Sequence, residues 1–127
     1  MSDDGYERGL KVMDEVYGAG FSKSLDGQTG AFLDETVGHL FGEIWNRPGL
    51  STRDRRLLVL GATAALGRAD LVQVQARGAL LSEDCSEEEL YESALQLAFY
   101  VGWGNATSVQ QGIAQAVAQI AAESKQD

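Results

Sequence analysis

Cysteine, histidine and proline are nearly missing from this 127-residue chain, which has one of each: Cys85, His39 and Pro48. A single cysteine excludes an internal disulfide and every CxxC redox or zinc motif. A single histidine excludes clustered-histidine metal sites, so no metal is expected. Long apolar runs are missing too. Nothing approaches the roughly 18 residues of a membrane span, and no signal-peptide pattern precedes the acidic start. Positive charge is scarce, with 10 lysines and arginines against 19 acids and a net charge of -9. That balance argues against nucleic acid or an anionic membrane as partner. A soluble, cytoplasmic-type chain is expected.

What is present is a modest globular core with one basic zone. The length fits one domain over residues 1–127, and folding at this mass hides about two-thirds of the extended chain's surface. A 44% hydrophobic share argues against disorder. Between Leu40 and Leu80 stand six arginines and three acids (Glu43, Asp54 and Asp70), a local balance of +3 in an otherwise acidic chain. Such a zone suits a small carboxylate or phosphate ligand. It equally suits arginines that pair with acids across a subunit contact.

Helical spacing runs through the chain and predicts an all-α single domain of about six helices. Asp3 or Asp4 starts a first helix with Tyr6, Leu10, Met13 and Tyr17 on one face, ended by Gly18-Ala19-Gly20. Phe21 to Gly30 reads as a loop. A second helix is predicted from about Ala31 to Asn46, stopping before Arg47-Pro48. Ser51-Thr52-Arg53-Asp54 resembles a capping box for a third, running to Gly67. Asp70 is the expected cap of a fourth, ending near Ser82. Ser86-Glu87-Glu88-Glu89 is a cleaner capping box for a fifth, through Val101. Asn105 is the expected cap of a sixth, with Val109, Ile113, Val117 and Ile120 in step. The strand-like alternation of Leu71-Val72-Gln73-Val74-Gln75 is overridden by the helical pattern around it.

The second helix carries the chemistry. At about 100° per residue with Leu40 at zero, Leu33, Val37, Phe41 and Ile44 fall on one arc and Glu43 at about -60°, on its edge. His39, Glu43 and Arg47 are spaced i, i+4, i+8, so the glutamate meets either neighbour. A partly desolvated carboxylate there suits a general acid/base; a structural Glu–Arg pair fits the same residues. His39 lies at the arc's margin, where a structural role competes with a chemical one. Cys85 sits among Glu83, Asp84, Glu87 and Glu88, a setting that disfavours a thiolate. Phe99, Tyr100 and Trp103 read as packing between helices rather than as pocket lining.

Gly42-Glu43-Ile44-Trp45-Asn46-Arg47-Pro48-Gly49-Leu50, then Arg53, Arg55, Leu57-Leu58 and Ala65-Leu66-Gly67-Arg68, resembles the carboxymuconolactone decarboxylase family. So do Arg77-Gly78-Ala79-Leu80 and the run from Gln96 to Trp103. The resemblance implies an alkylhydroperoxidase D-like, all-helical fold that assembles as homo-oligomers, trimers or hexamers, with sites near subunit contacts. It implies removal of carbon dioxide from a small carboxylated lactone in aromatic-acid catabolism, with no metal or organic cofactor. Glu43 occupies the family's glutamate position, and Arg47, Arg53 and Arg77 match arginines of its motifs, which makes them expected binders of substrate carboxylates. Gln75 stands where the decarboxylase pattern has a histidine. It can hold a substrate by hydrogen bonds but cannot shuttle a proton. Gly104 likewise replaces a proline often found after the tryptophan. The redox branch, with its CxxC pair, is excluded. The alternative reading is a diverged member that binds small carboxylates as an accessory protein without decarboxylating them.

Overall fold

A computed structural model describes residues 3–126. Among them all regular structure is helical, as expected, and the backbone falls into two compact units, residues 1–52 and 53–127.

The first unit opens with α1 (Asp3–Tyr17). Gly18 ends it at φ 116°, its N–H donating to the Asp14 carbonyl at 2.8 Å. The stretch expected to be a loop holds a 3-10 turn, Phe21–Leu25. Asp14 pins that turn, its carboxylate accepting from the Ser22 N–H at 2.7 Å and the Ser22 hydroxyl at 3.1 Å. The next helix departs further from expectation. Only Ala31–Asp34 (α2) is α-helical, and Glu35–Ile44 continues as a π-helix. At the end of the π segment the Trp45 N–H reaches back five residues, to the Leu40 carbonyl, at 2.9 Å. π-Helices are rare, and they concentrate at functional sites.

Glycine explains how α1 meets the π segment. The buried face of α1 is Gly5, Gly9, Val12, Met13 and Val16, while Tyr6, Leu10 and Tyr17 are only half-buried. Opposite it lie Val37, Gly38, Phe41 and Gly42. A Cβ on Gly9 would stand 1.8 Å from the Val37 carbonyl oxygen, and one on Gly42 would stand 2.7 Å from that of Gly5. The two backbones touch through positions that carry no side chain. Phe41 then stacks on Trp45 and meets the edge of Tyr17, with ring centroids 6.0 and 5.3 Å apart.

The second unit contains α3 (Thr52–Ala65), α4 (Ala69–Leu81), α5 (Glu87–Val101) and α6 (Trp103–Ser124), with α4 and α5 both packed on α6. Gly67, at φ 67°, turns the chain out of α3, and the Arg68 N–H reaches back to the Thr63 carbonyl. The core is short-chained: Ala64, Ala76, Ala79, Ala94 and Ala116 pack with Val72, Val109 and Ile113. The capping box of α5 is present in full, Ser86 Oγ accepting from the Glu89 N–H and Glu89 returning the bond to the Ser86 N–H. Two expected caps are not caps. Asp70 lies within the first turn of α4, held by Arg68, and Asn105 lies within α6, its amide donating to the Val101 carbonyl at 2.8 Å. In both cases the helix starts earlier than the polar residue that marks it.

Candidate active site

Glu43 and His39 are brought together on the π segment. His39 Nδ1 and Glu43 Oε2 are 3.3 Å apart, with 52% and 56% of their side-chain surface exposed. The expected partial burial of Glu43 is therefore corrected. The 100° step assumes an α-helix, whereas a π-helix, bonded i to i+5, turns less per residue. The buried residues of the segment are Val37, Gly38, Phe41 and Gly42, and Glu43 is not among them. Leu40 and Ile44, read as core, are 40% and 37% exposed. The carboxylate thus stands away from the buried face, which is made of Val37, Gly38, Phe41 and Gly42.

A residue unnoticed in the sequence supports that helix from α1. Arg8 Nε donates to the Gly42 carbonyl at 2.8 Å. Gly42 precedes Glu43, so a guanidinium fixes the peptide from which the carboxylate projects. The α1 spacing gives no signal for this, because Arg8 looks like one more surface charge on an amphipathic helix. Arg47 lies beyond the helix end, exposed, its N–H bonded to the Ile44 carbonyl at 3.2 Å.

The arginines of the second unit have partners within the chain. Arg53 Nη2 meets Glu89 Oε2 at 2.7 Å, and its Nε donates to the Asp84 carbonyl at 3.0 Å. Arg56, 2% exposed, donates through Nε to Asp84 Oδ2 at 2.8 Å. The two guanidiniums clamp the turn between α4 and α5, where Glu83 sits at φ 63°. The Ser86 N–H and the Arg53 guanidinium hold the Glu89 carboxyl below its usual range, and Glu89 in turn raises Arg53. Arg77 Nη2 pairs with Glu123 at 2.6 Å and depresses that carboxyl. The basic zone is in good part a set of intrachain pairs.

Gln75 is buried, at 5% exposure, and its Oε1 has no hydrogen-bond partner. It lines a cavity of about 10 Å³ with Arg56, Leu60, Cys85 and Leu90, room for one water at most. A lactone does not fit there. Cys85 is buried in the same wall, and burial pushes its thiol up, against the opposing pull of Arg53. Desolvation leads that shift, and the neighbouring acids Glu89 and Asp84, part of the acidic setting read from the sequence, add to it less. Among the described residues no three His, Cys, Asp or Glu side chains gather as a metal site, and no helix is long and apolar enough to cross a membrane.

The aromatic run is also placed differently from expectation. Phe99, Tyr100 and Trp103 are 74%, 79% and 65% exposed, with Phe99 edge-on to Trp103 at 6.0 Å. Trp103 walls a surface cleft of about 150 Å³ floored by Ala94, Ala98 and Ala106.

The carboxymuconolactone decarboxylase family model matches residues 30–120, which include Glu43, the arginine zone and the exposed aromatics. The chain belongs to the carboxymuconolactone decarboxylase family. It is 32% identical over 101 residues to the 4-carboxymuconolactone decarboxylase of Acinetobacter baylyi (strain ATCC 33305 / BD413 / ADP1), covering 76% of this chain and 75% of that protein. The matched segment includes the π-helix that carries the exposed His39 and Glu43.

Proposed function

We propose that this family member is a cytoplasmic, cofactor-free carboxy-lyase that removes carbon dioxide from a small carboxylated lactone in aromatic-acid catabolism. Glu43 is its proton donor to carbon. Arg47, Arg53 and Arg77 are the proposed substrate-binding residues; Gln75, expected in that set from the sequence, is withdrawn from it, because it is buried in a cavity too small for a lactone. When carbon dioxide leaves, the electron pair passes into the lactone-conjugated system, where a guanidinium stabilises the charge. Glu43 then delivers a proton to the carbon. The observation that carries this reading is the half-exposed Glu43 on a π-helix, inside the segment matched by the family model. Arg47 is exposed in the same unit. Arg53 and Arg77 would bind ligand by sharing or exchanging Glu89 and Glu123.

Assembly as a homo-oligomer, a trimer or hexamer, belongs to the same proposal. The exposed Phe99, Tyr100 and Trp103 support it, since an apolar patch of this kind is costly to leave in water. Following carboxymuconolactone absorbance in the presence of the purified chain tests the activity. Loss of the substrate band with release of carbon dioxide is expected, and an unchanged spectrum would reject it. The buried Gln75 favours a second reading, a diverged member that binds small dicarboxylates without turnover. Calorimetric binding heat with no carbon dioxide release would select that reading.

A further inference from the structure

We propose that His39 is the proton supply of Glu43. The two side chains form a relay in which Glu43 meets the ligand and His39, a positioning residue, reloads it. The last step rests on the decarboxylation reading above. The pairing itself rests on geometry.

A carboxyl group that protonates carbon once per cycle must recover a proton each time. At neutral pH an isolated carboxylate is a poor collector of protons, whereas imidazole is the side chain whose charge changes between about pH 5 and 8. The family pattern would put a histidine at position 75. Here that position is a buried amide that cannot carry a proton, beside a cavity too small for more than one water. The chain's single histidine instead stands 3.3 Å from Glu43, with Nδ1 toward Oε2. The other ring nitrogen, Nε2, faces away from the carboxylate on a half-exposed ring, where solvent protons reach it.

The backbone holds this pair in place. Both residues lie within the π segment, whose last turn is closed by the Trp45-to-Leu40 bond. Arg8 grips the Gly42 carbonyl from α1, and Gly9 and Gly42 bring that helix into backbone contact. The spacing of His39 and Glu43 is therefore set by packed main chain.

The step balances as follows. The Glu43 carboxyl gives its proton to the carbon that has lost carbon dioxide, becoming a carboxylate. The imidazolium of His39 passes its Nδ1 proton to Oε2 and becomes neutral. The ring then takes one proton from solvent. One solvent proton is consumed per carbon dioxide released, and no oxidant or reductant is involved.

Two measurements test the relay, and the first needs no substrate. With one histidine, the two ring-nitrogen ¹⁵N shifts need no assignment. In the unmodified protein they should report a proton on Nδ1 at neutral pH. In E43A the balance should move toward the Nε2–H form, with helical circular dichroism unchanged. Identical shifts in the two proteins would overturn the pairing. The second measurement is turnover of carboxymuconolactone. H39A should lose on the order of a hundredfold in kcat, and added imidazole should restore much of it, a response that a purely structural histidine would not give. Full activity in H39A, or a loss that imidazole leaves untouched, would overturn the relay. An unmodified protein that leaves the lactone intact, while its nitrogen shifts still follow Glu43, would reject the decarboxylation reading and support the pair.

Discussion

The two units of this chain treat charge and small residues in opposite ways. In the first, glycine is the packing surface, and the titratable pair His39–Glu43 is turned outward on a π-helix. In the second, alanine is the packing surface, and guanidiniums are turned onto the chain's own acids, with Arg56 fully buried against Asp84. Both arrangements use arginine, yet Arg8 and Arg56 end up with different tasks. Arg8 secures a peptide beside the chemical group, while Arg56 ties a turn to a core. An arginine-rich zone is thus not one site, and the chemistry of the zone is decided by which guanidiniums already have partners.

The largest effect expected from breaking this contrast lies at the glycine contact. Gly9→Ala would place a methyl 1.8 Å from a backbone oxygen that has no rotamer to escape by. It should destabilise by at least about 3 kcal/mol, visible as an early transition in urea unfolding. A loss near zero would show that α1 does not rest on the π segment as described.

Next comes the buried guanidinium. Asp84→Ala removes the partner of Arg56 Nε and should cost about 2 kcal/mol, the price of a buried charged donor losing an acceptor. A thermal melt would register it. Ser86→Ala should cost about 1 kcal/mol through the lost cap on α5.

The smallest effect is one of pH. The Arg68 guanidinium holds the Asp70 carboxyl at about 2, below its ordinary 3.8. A carboxyl depressed by folding stabilises above its unfolded value, and that contribution is lost as pH falls through the folded one. Asp70→Asn should therefore flatten the stability curve between about pH 4 and 2, in low salt only, because both groups are exposed. An unchanged acid limb would mean the pair contributes nothing.

Much of the fold was legible in the sequence, and the errors share a cause. Large apolar residues place the face of α1 on Tyr6, Leu10, Met13 and Tyr17 and that of the second helix on Leu33, Val37, Leu40, Phe41 and Ile44, of which Met13, Val37 and Phe41 are buried. The actual faces follow Gly5, Gly9, Gly38 and Gly42, because a helix packs closest where it has no side chains. Hydrophobic counting gives glycine no weight, so Glu43 is read at the edge of the buried arc, whereas more than half of its side-chain surface is exposed. The π-helix has no composition signal at all. The Ser86–Glu89 box was legible because its partners are three residues apart. Arg53–Glu89, Arg56–Asp84 and Arg77–Glu123 were not, since each joins residues 28 to 46 positions apart.

The most direct measurement on the account is a paired one on Glu43→Gln, carboxymuconolactone turnover beside thermal midpoint and oligomeric state. An exposed carboxylate that acts as proton donor should lose on the order of a hundredfold or more in kcat, with midpoint and assembly unchanged. Undiminished turnover in that variant would contradict the assignment of Glu43.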